Sequence, residues 1–403
     1  MESDAARRAS DDSQDAGTGP SYSLRQLVAY ALKLGSLGFG GPVALVGYMH
    51  RDLVERRKWI TEADYREGLT LAQLAPGPLA AQLAIYLGFV HYRVLGATLV
   101  GIAFVLPSFA MVVALGWAYR LYQGLDWMQA VFYGVGAAVI GIIASSAFKL
   151  TRRTLGPSWL LWGIYLVAAT VTVVTETENV LLFVAAGVLV WLVRARPWWR
   201  ALPPGLAALA GPFATIVPTA TTTAGSHSLI QILLFFAKAG AFVFGSGLAI
   251  VPFLYGGVVH EHHWLNDRQF LDAVAVAMIT PGPVVITVSF IGFLIAGFPG
   301  AVVAGIGTFL PCYLFTILPA PYFKRHGKRP DILAVVEGVT AAAIGAITGA
   351  VIVLGRRSVV DVPTVVICVA TLGVLWRFKR VPEPVLVAIA GLVGFFLYPH
   401  VAR

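Results

Sequence analysis

The residues best suited to chemistry in this sequence form a proline–glycine–proline tripeptide that occurs twice in apolar surroundings. Pro76-Gly77-Pro78 lies in "LAQLAPGPLAAQ" and Pro281-Gly282-Pro283 in "AMITPGPVVITV". Proline removes a backbone donor and clashes with the preceding turn, so each tripeptide is expected to interrupt a helix. An interrupted helix presents free amides and a positive dipole end, which together suit an anion. The stretches "SLGFGGP" (36–42) and "FVFGSG" (242–247) predict two further interruptions.

Polar side chains close to these interruptions are the next candidates. Lys33 and Lys238 each lie about ten residues into an apolar stretch. A lysine near the membrane midplane costs roughly 2.5–3.5 kcal/mol on insertion scales. Two copies at matching positions therefore suggest a function, namely a positive electrostatic potential that attracts an anionic substrate. The alternative, that each lysine snorkels or binds a backbone carbonyl, remains open. Four polar residues near the tripeptides are expected to donate hydrogen bonds to an oxyanion: Gln73, Gln82, Thr287 and Ser289. The alternative is that they form ordinary hydrogen bonds between helices.

Titratable groups elsewhere in the chain give weaker signals. Glu67 and Asp272 flank the two PGP segments and are interpreted either as proton carriers or as acids at helix N-termini. Three histidines, in "HEHH" at 260–263, resemble a metal cluster, but no carboxylates accompany them at helical spacing. They therefore favour a solvated or pH-sensitive loop. Cys312 and Cys368 lie far apart, so we expect no disulfide, no metal site and no cofactor.

Composition indicates the solvent in which these residues act. The 403 residues are 58% hydrophobic and only 12% charged, whereas a soluble domain carries roughly 25% charged residues. Apolar stretches of about 20 residues recur, each long enough to cross a bilayer. The net charge of +9 comes from short basic loops. This is the orientation signal of an inner membrane protein rather than a nucleic-acid surface. No HExxH, GxSxG or P-loop motif occurs, so neither an enzyme nor an ATP-driven pump is expected.

An internal repeat organises the chain. A shift of 205 residues aligns Lys33 with Lys238, Trp59 with Trp264, and the first PGP tripeptide with the second. Such a match predicts two homologous halves. We expect a disordered polar tail at 1–20, an N-terminal repeat at 21–200, a linker at 201–225 and a C-terminal repeat at 226–403.

The charges of equivalent loops predict opposite orientations for the two halves. Residues 51–66 hold five Arg or Lys residues and their counterpart 256–268 holds one, so the first loop is expected in the cytoplasm and the second outside. An inverted repeat requires an odd number of crossings in each half. If each PGP segment enters and leaves on one side, the expected crossings are 24–49, 94–119, 128–149, 158–174, 180–193, 229–255, 299–322, 331–354, 362–376 and 383–400. Whether the PGP segments are re-entrant or broken, and whether the glycine-rich segments also form hairpins, stays open.

Several motifs together form a specific combination: "FGGPVALVG" (39–47), "ERRKW" (55–59), PGP and "GIAFVLPSF" (101–109). A degenerate second copy ends in "GTFLPC" (307–312). It resembles the chromate transporter family of two-domain bacterial membrane proteins over essentially the whole chain. The resemblance implies chromate export and, in some members, a relation to sulfate. The sequence departs from the family at Leu45, where many members carry a polar residue. The family's motif residues correspond here to Phe39, Gly40, Gly41, Pro42, Arg56, Arg57, Trp59, Gln73, Pro76, Gly77, Pro78 and Gln82.

The sequence therefore predicts an all-α polytopic membrane protein: an inverted-topology repeat with about ten spanning helices and two broken or re-entrant PGP segments. Its expected function is secondary transport that exports chromate and confers chromate resistance. The alternatives are uptake or exchange of sulfate or another oxyanion, and a non-transporting scaffold or lipid-handling protein. The expected partners are an oxyanion, membrane lipid and a possible second copy of the chain. The full set of expected substrate-binding residues is Lys33, Phe39, Gly40, Gly41, Pro42, Gln73, Pro76, Gly77, Pro78, Gln82, Lys238, Gly245, Gly247, Pro281, Gly282, Pro283, Thr287 and Ser289.

Overall fold

The computed structural model describes most of the chain, and the described residues form helices with no β-strand. The described residues are 22–38, 41–122, 126–175, 180–194, 228–241, 250–322, 330–378, 381 and 383–401. The predicted tail 1–20 and linker 201–225 lie outside them. The helices are α1 (Leu24–Leu37), α2 (Gly41–Met49, continued by a π-helical segment His50–Arg56), α3 (Glu62–Leu74), α4 (Leu79–Tyr122), α5 (Asp126–Thr154), α6 (Trp159–Thr175), α7 (Val180–Arg194), α8 (Leu229–Ala241), α9 (Ile250–Tyr255, continued by a π-helical segment Gly256–Glu261), α10 (Asp267–Ile279), α11 (Thr287–Ile317, preceded by a 3₁₀ turn Val284–Ile286), α12 (Pro330–Ser358), α13 (Val362–Arg377) and α14 (Glu383–Val401).

The first expected crossing, 24–49, is two helices folded back on each other. The Tyr30 hydroxyl donates to the Tyr48 carbonyl oxygen at 3.2 Å. In one continuous helix these residues would lie about 27 Å apart. Helix α1 ends at Gly38, so α1 and α2 form a hairpin whose tip lies at the glycine-rich motif. The expected single span was wrong because the chain reverses direction at that motif, whereas a local unwinding within one helix was expected.

The same reversal occurs in the second half, where a single crossing was expected over 229–255. The Phe235 ring on α8 stacks on the Phe253 ring on α9, with centroids 5.7 Å apart. Helices α8 and α9 therefore also pack side by side, and this expected span was wrong for the same reason. The tip of this hairpin, at 242–249, lies outside the described residues.

Each PGP tripeptide lies at the tip of a further hairpin. In the first half, Gly68 on α3 packs directly against the Tyr86 ring on α4, although the tripeptide separates them. The chain then reverses again at Arg93 (φ 52°, ψ −142°), inside α4. A Cβ on Gly88 would lie 2.5 Å from the Gly96 carbonyl oxygen, whereas a straight helix separates these residues by about 12 Å. Helix α4 is thus a short first arm, 79–92, and a long second arm, 94–122.

The second half repeats this construction closely. After the 3₁₀ turn, α11 reverses at Ala296 and Gly297, and the Gly297 backbone has φ 66°. Gly292 and Gly300 pack against each other as Gly88 and Gly96 do. Glycine is required at these four positions because any side chain would hold the two arms of each helix apart. The second arm of α11, from residue 298, is the counterpart of residues 94–122.

The open ends of the two first-half hairpins meet in one aromatic cluster. The Tyr22 ring stacks on the Trp59 ring at 5.0 Å, and the Tyr92 hydroxyl donates to the Tyr22 carbonyl oxygen. We call this cluster of Tyr22, Trp59 and Tyr92 the first base. Since all three residues lie at hairpin ends, both first-half hairpins open toward the same side. The corresponding cluster in the second half contains Phe235 and Trp264, whose ring centroids are 5.4 Å apart, and is called the second base.

The two bases lie at opposite ends of the second arm of α4. This arm leaves the first base at residue 94. Near its other end, the Tyr119 hydroxyl donates to Asp272 at 2.7 Å, and the Arg120 guanidinium lies 5.9 Å from the Phe293 ring centroid. Asp272 and Phe293 belong to the PGP hairpin that opens at the second base. The PGP hairpins of the two halves therefore open toward opposite ends of this arm.

The remaining helices supply the candidate membrane spans. Four apolar helical stretches have the length and composition to cross a bilayer: Leu79–Tyr122, Gln129–Arg152, Val284–Tyr322 and Leu333–Arg356. Shorter apolar helices coincide with the expected crossings in α6, α7, α13 and α14. The described part of each half therefore contains two candidate spans, two shorter apolar helices and two hairpins, where five spans and one PGP segment were expected.

Glycines bring the hairpins against the candidate spans in both halves. A Cβ on Gly35 would overlap the Phe104 carbonyl oxygen, and one on Gly240 would overlap the Thr308 carbonyl oxygen. Without a hydrophobic driving force between helices in lipid, such close backbone approach is a main source of association. These equivalent glycines dock α1 on α4 and α8 on α11.

We expect Gly35→Ala to destabilise the protein by about 1–3 kcal/mol, because the added methyl group forces α1 away from α4. The measurement is the melting temperature and the membrane abundance of the purified variant. Gly163→Ala in α6 is the matched control, since a Cβ there meets no atom within 4 Å. Equal melting temperatures for the two variants would contradict the close docking of α1.

Candidate substrate site at the hairpin tips

Hairpin tips from the two halves meet in the protein interior. The Gly282 amide, at the second PGP tip, donates to the Gly38 carbonyl oxygen at 3.0 Å. Gly38 lies at the tip of the α1–α2 hairpin. Each group was freed by a helix interruption, and each supplies the other's missing partner. In lipid such freed backbone groups are tolerated only where protein or a water-filled cavity covers them.

Ser108, on the second arm of α4, ties this contact to a candidate span. Its side chain is fully buried, and its hydroxyl donates to the Pro281 carbonyl oxygen at 2.8 Å. The same hydroxyl lies 3.3 Å from the Gly35 carbonyl oxygen. One side chain therefore contacts backbone atoms of both hairpins where they meet.

The glycine of each PGP tripeptide is required by geometry. Gly77 has φ 143° and Gly282 has φ 96°, a region that side-chain-bearing residues rarely adopt. A Cβ on Gly77 would lie 2.6 Å from the Gln82 amide nitrogen, and one on Gly282 would overlap the Ser108 hydroxyl. Neighbouring atoms therefore leave no room for a side chain at either glycine.

Ser108 and Cys312 are site residues that the sequence reasoning missed. Each follows a Leu-Pro pair, and the repeat aligns the two pairs. The buried Cys312 sulfur lies 3.1 Å from the Cβ position of Gly77, at the PGP tip of the other half. The signal was present in the aligned "LPS" and "LPC", but Cys312 was considered only as a disulfide or metal ligand.

The expected oxyanion donors have different roles in the structure. The Gln82 amide nitrogen donates to the Pro76 carbonyl oxygen at 2.8 Å, and the Thr287 hydroxyl donates to the Val284 carbonyl oxygen at 2.7 Å. These two side chains therefore brace the tips. Gln73 is exposed on α3.

Two buried polar atoms near the tips lack a hydrogen-bond partner within the described residues. They are the Gln82 side-chain oxygen and the Ser289 hydroxyl, on fully buried side chains in the two PGP hairpins. Buried polar atoms are nearly always paired, so exceptions call for an explanation such as a water or a bound solute. The returning arms of the PGP hairpins therefore retain unused hydrogen-bonding capacity.

Lys33 and Lys238 occupy equivalent positions shortly before their hairpin tips. Both lysines are exposed on the protein surface when no membrane is considered. The Lys238 ammonium lies 5.7 Å from the Phe253 ring centroid. Neither lysine takes part in the buried contact between Gly38 and Gly282.

The remaining candidates near the tips are placed as follows. Gly41 begins α2, and Pro42 beside it is half-buried. The second PGP tripeptide, 281–283, is buried. Expected site residues outside the described part of the chain are Phe39, Gly40, Gly245 and Gly247.

Glu67 and Asp272 are equivalent carboxylates within the PGP hairpins, each beside a buried tyrosine. Each is the sixth residue of its helix, whereas the effect of the helix dipole fades within the first turn. Interpreting them as acids of a helix N-terminus was therefore wrong. Asp272 is 4% exposed and accepts from Tyr119, and Glu67 is hydrogen-bonded to Tyr86.

The residues interpreted as topology signals lie at the bases. The Arg57 guanidinium lies 4.5 Å from the Trp59 ring centroid, and Arg56 is 3.8 Å from Asp52. Trp264 belongs to the second base.

Glu62 lies in the exposed first turn of α3, close to the first base. Its hydrogen bond to His50, and to a smaller extent its hydrogen bond to Arg66, lower the pKa of this carboxyl below its usual range.

A small cavity in the first half is separate from this site. It has a volume of about 10 Å³ and an apolar lining that includes Leu27, Leu53 and Phe104. This is room for no more than about one water molecule. The cavity is therefore a packing gap and has neither the size nor the polarity to hold an oxyanion.

Comparisons with known proteins agree with the internal repeat. A family model described as "Chromate transporter" matches residues 25–191 and again residues 230–395. The chain is 69% identical over 386 residues to a chromate transport protein of Cupriavidus metallidurans, covering 95% of each chain. It is 65% identical over 384 residues to a probable chromate transport protein of Synechococcus elongatus, covering 94% of this chain and 97% of the relative. No solved structure matches significantly.

The double match is what a chain of two homologous halves requires, and the relatives align with nearly the whole length. The helical hairpins, the paired PGP tips and the candidate spans thus belong to a multi-pass bacterial membrane protein. On these grounds the chain is a member of the chromate transporter family.

Proposed function

We propose that this protein is a secondary transporter that exports chromate across the bacterial inner membrane and so confers chromate resistance. The observation that carries this function is the buried hydrogen bond between Gly282 and Gly38, which joins interrupted helices from two halves. Paired interruptions in matching positions are the best structural pointer to a transporter's substrate site. The names and high identity of the relatives favour chromate as the substrate.

In this proposal the tips bind the dianion through backbone amides. Helix α2 begins at Gly41, α4 at Leu79 and the second returning arm at Val284, so three helix N-termini start at the tips. Their positive dipole ends favour an anion. An unassisted neutral pocket would have to strip water from a dianion, which is very unfavourable. Lys33 and Lys238 supply the compensating positive potential.

Alternating access then follows from opposite orientation of the halves. The two bases face opposite sides of the membrane, and the tips open to each side in turn. The first base lies in the cytoplasm because its loop carries the basic residues Arg51, Arg56, Arg57 and Lys58.

The proton is the coupling ion in this proposal, carried by Glu67 and Asp272. Ionisable side chains within the membrane are expensive and usually functional. Asp272 is buried in the second half but bonded to Tyr119 of the first half, so its charge state bears directly on a contact between the halves.

A flux assay tests the proposed function. Purified protein in liposomes is expected to move labelled chromate, with weaker competition from sulfate than from unlabelled chromate. Chromate at 100 times its dissociation constant should also stabilise the protein by about 2.7 kcal/mol. Preferential sulfate flux would favour the oxyanion alternative, and neither flux nor stabilisation by any oxyanion would favour a scaffold.

Gly282→Ala is expected to reduce chromate flux at least about tenfold, because the methyl group displaces Ser108 and opens the tip contact. Gly156→Ala is the matched control: Gly156 has φ 50°, but a Cβ there meets no atom within 4 Å. Both variants are compared at equal membrane abundance. Equal losses of flux would mean that backbone strain, and not the tip contact, causes the effect.

Lys33→Ala is expected to raise the KM for chromate about tenfold, since one positive charge near a dianion is lost in a partly shielded site. Lys33→Arg keeps the charge and should restore most of the affinity. Initial rates over a range of chromate concentrations give both constants. Unchanged KM in the alanine variant would remove Lys33 from the substrate site.

Asp272→Asn is expected to abolish the response of chromate flux to an imposed pH gradient, because an amide cannot exchange a proton at this position. Chromate-dependent thermal stabilisation should remain. Glu62→Gln, an exposed carboxylate at the first base, serves as the control and should keep the response. A full pH-gradient response in Asp272→Asn would exclude this carboxylate from coupling.

A further inference from the structure

The loops that join the hairpins at the two bases have the same backbone conformation. At the first base, the Arg57 amide donates to the Asp52 carbonyl oxygen at 3.1 Å. At the second base, the His262 amide donates to the Gly257 carbonyl oxygen at 2.9 Å. Both bonds span five residues and close a π-helical segment, a rare element that is frequent at functional sites. Arg57 and His262 are therefore structurally equivalent.

The residues after this turn confirm the equivalence. Lys58 has φ 52° and His263 has φ 50°, an uncommon conformation for residues with a side chain. The following tryptophans, Trp59 and Trp264, each donate from the backbone to the π-helical segment at 2.8 Å. The two loops thus share these backbone hydrogen bonds and the positive φ, while the side chains at Arg57 and His262 differ.

At the first base the equivalent position carries a permanent cation. The Arg57 guanidinium lies 4.5 Å from the Trp59 ring centroid and 5.7 Å from the Tyr30 ring centroid. Guanidinium stays protonated at all physiological pH values, so this cation–π contact is always present. It anchors the loop between the two first-half hairpins to α1.

At the second base the same position carries an imidazole. The His262 ring stacks on Trp264 with centroids 4.4 Å apart and an interplanar angle of 14°. Its edge contacts Phe235 of α8, the counterpart of Tyr30, at 5.5 Å. His262 is exposed, so protons reach it from the aqueous phase. This cluster holds a cation only when the imidazole is protonated.

We propose that His262 is a proton-binding site that controls transport from the second base. Protonation gives the second base the cation–π contact that the first base has permanently. The loop joining the second-half hairpins is then anchored more firmly to α8, and movement of the hairpins slows. This control is separate from substrate binding at the tips and from the carboxylates in the PGP hairpins.

The other groups around His262 are compatible with this role. From α8 the packed group is the uncharged Phe235 ring. Within the loop, the His263 ring nitrogen lies 2.8 Å from the Val259 carbonyl oxygen, and the His260 ring packs edge-on against Tyr255. Glu261 is the adjacent charged residue and is exposed. Of the three histidines, His262 is the one whose ring packs against both Trp264 and Phe235.

Tryptophan fluorescence tests the site without relying on transport. In the purified protein, the signal assigned to Trp264 by comparison with Trp264→Phe should fall between about pH 7.5 and 5.5, the range in which imidazoles titrate. His262→Arg introduces the side chain of the first base and should abolish this step. His263→Lys is the control, because it likewise introduces the first-base residue, Lys58, at the next position. This variant should keep the fluorescence step. A step that persists in His262→Arg would overturn the proposal.

Flux measurements test the control of transport. With pH varied separately on each side of the liposome, chromate flux should fall about threefold on acidifying the second-base side only. His262→Arg should be slow at every pH, and Arg57→His should create a second pH-sensitive side. Wild-type pH dependence in His262→Arg would contradict the proposed control. If the protein moved no chromate, the fluorescence titration would still decide whether His262 binds the proton.

Discussion

A backbone group cannot remain unpaired in hydrocarbon, and this constraint governs the whole structure. Described helices reverse direction at glycine- or proline-rich tips, and each such reversal frees amides and carbonyls that lipid cannot satisfy. The protein pairs two of these tips through the hydrogen bond from Gly282 to Gly38. The buried Ser108 hydroxyl completes the contact. The same requirement that encloses the tips also creates a protected position where backbone donors are close together, which is what an anion carrier needs.

The repeat doubles the architecture while leaving the chemistry different in the two halves. Gly35 and Gly240 make the same close contact with a candidate span, and Gly88 with Gly96 matches Gly292 with Gly300. The side chains at other equivalent positions differ: Ser108 corresponds to Cys312, and Arg57 to His262. A pair of identical halves in opposite orientation would treat both sides of the membrane alike. Side-chain differences on a shared backbone provide a physical basis for direction and for a different response on each side.

Much of this fold was accessible from the sequence, but with a systematic error. The recurring apolar stretches predicted the helical, membrane-embedded character, and eight of the expected crossings coincide with apolar helices. The prediction failed at 24–49 and 229–255 because hydrophobicity reports burial in lipid and does not distinguish one long helix from two short antiparallel ones. For the polar candidates, residue type suggested donors to a substrate. Contacts instead assign the Gln82 and Thr287 side chains to bracing the tips.

What the sequence by itself determined is the set of places where regular helix must stop and the existence of two homologous halves. Both are local or periodic properties: proline lacks an amide hydrogen, glycine adopts positive φ, and a shift of 205 residues aligns Lys33 and Trp59 with their counterparts. Only the tertiary structure decided which interruptions meet, that Ser108 reaches Pro281 and that Asp272 bonds to Tyr119. Those pairs are 173 and 153 residues apart in the chain. Their proximity depends on how whole helices pack across the two halves, and no local pattern encodes that packing.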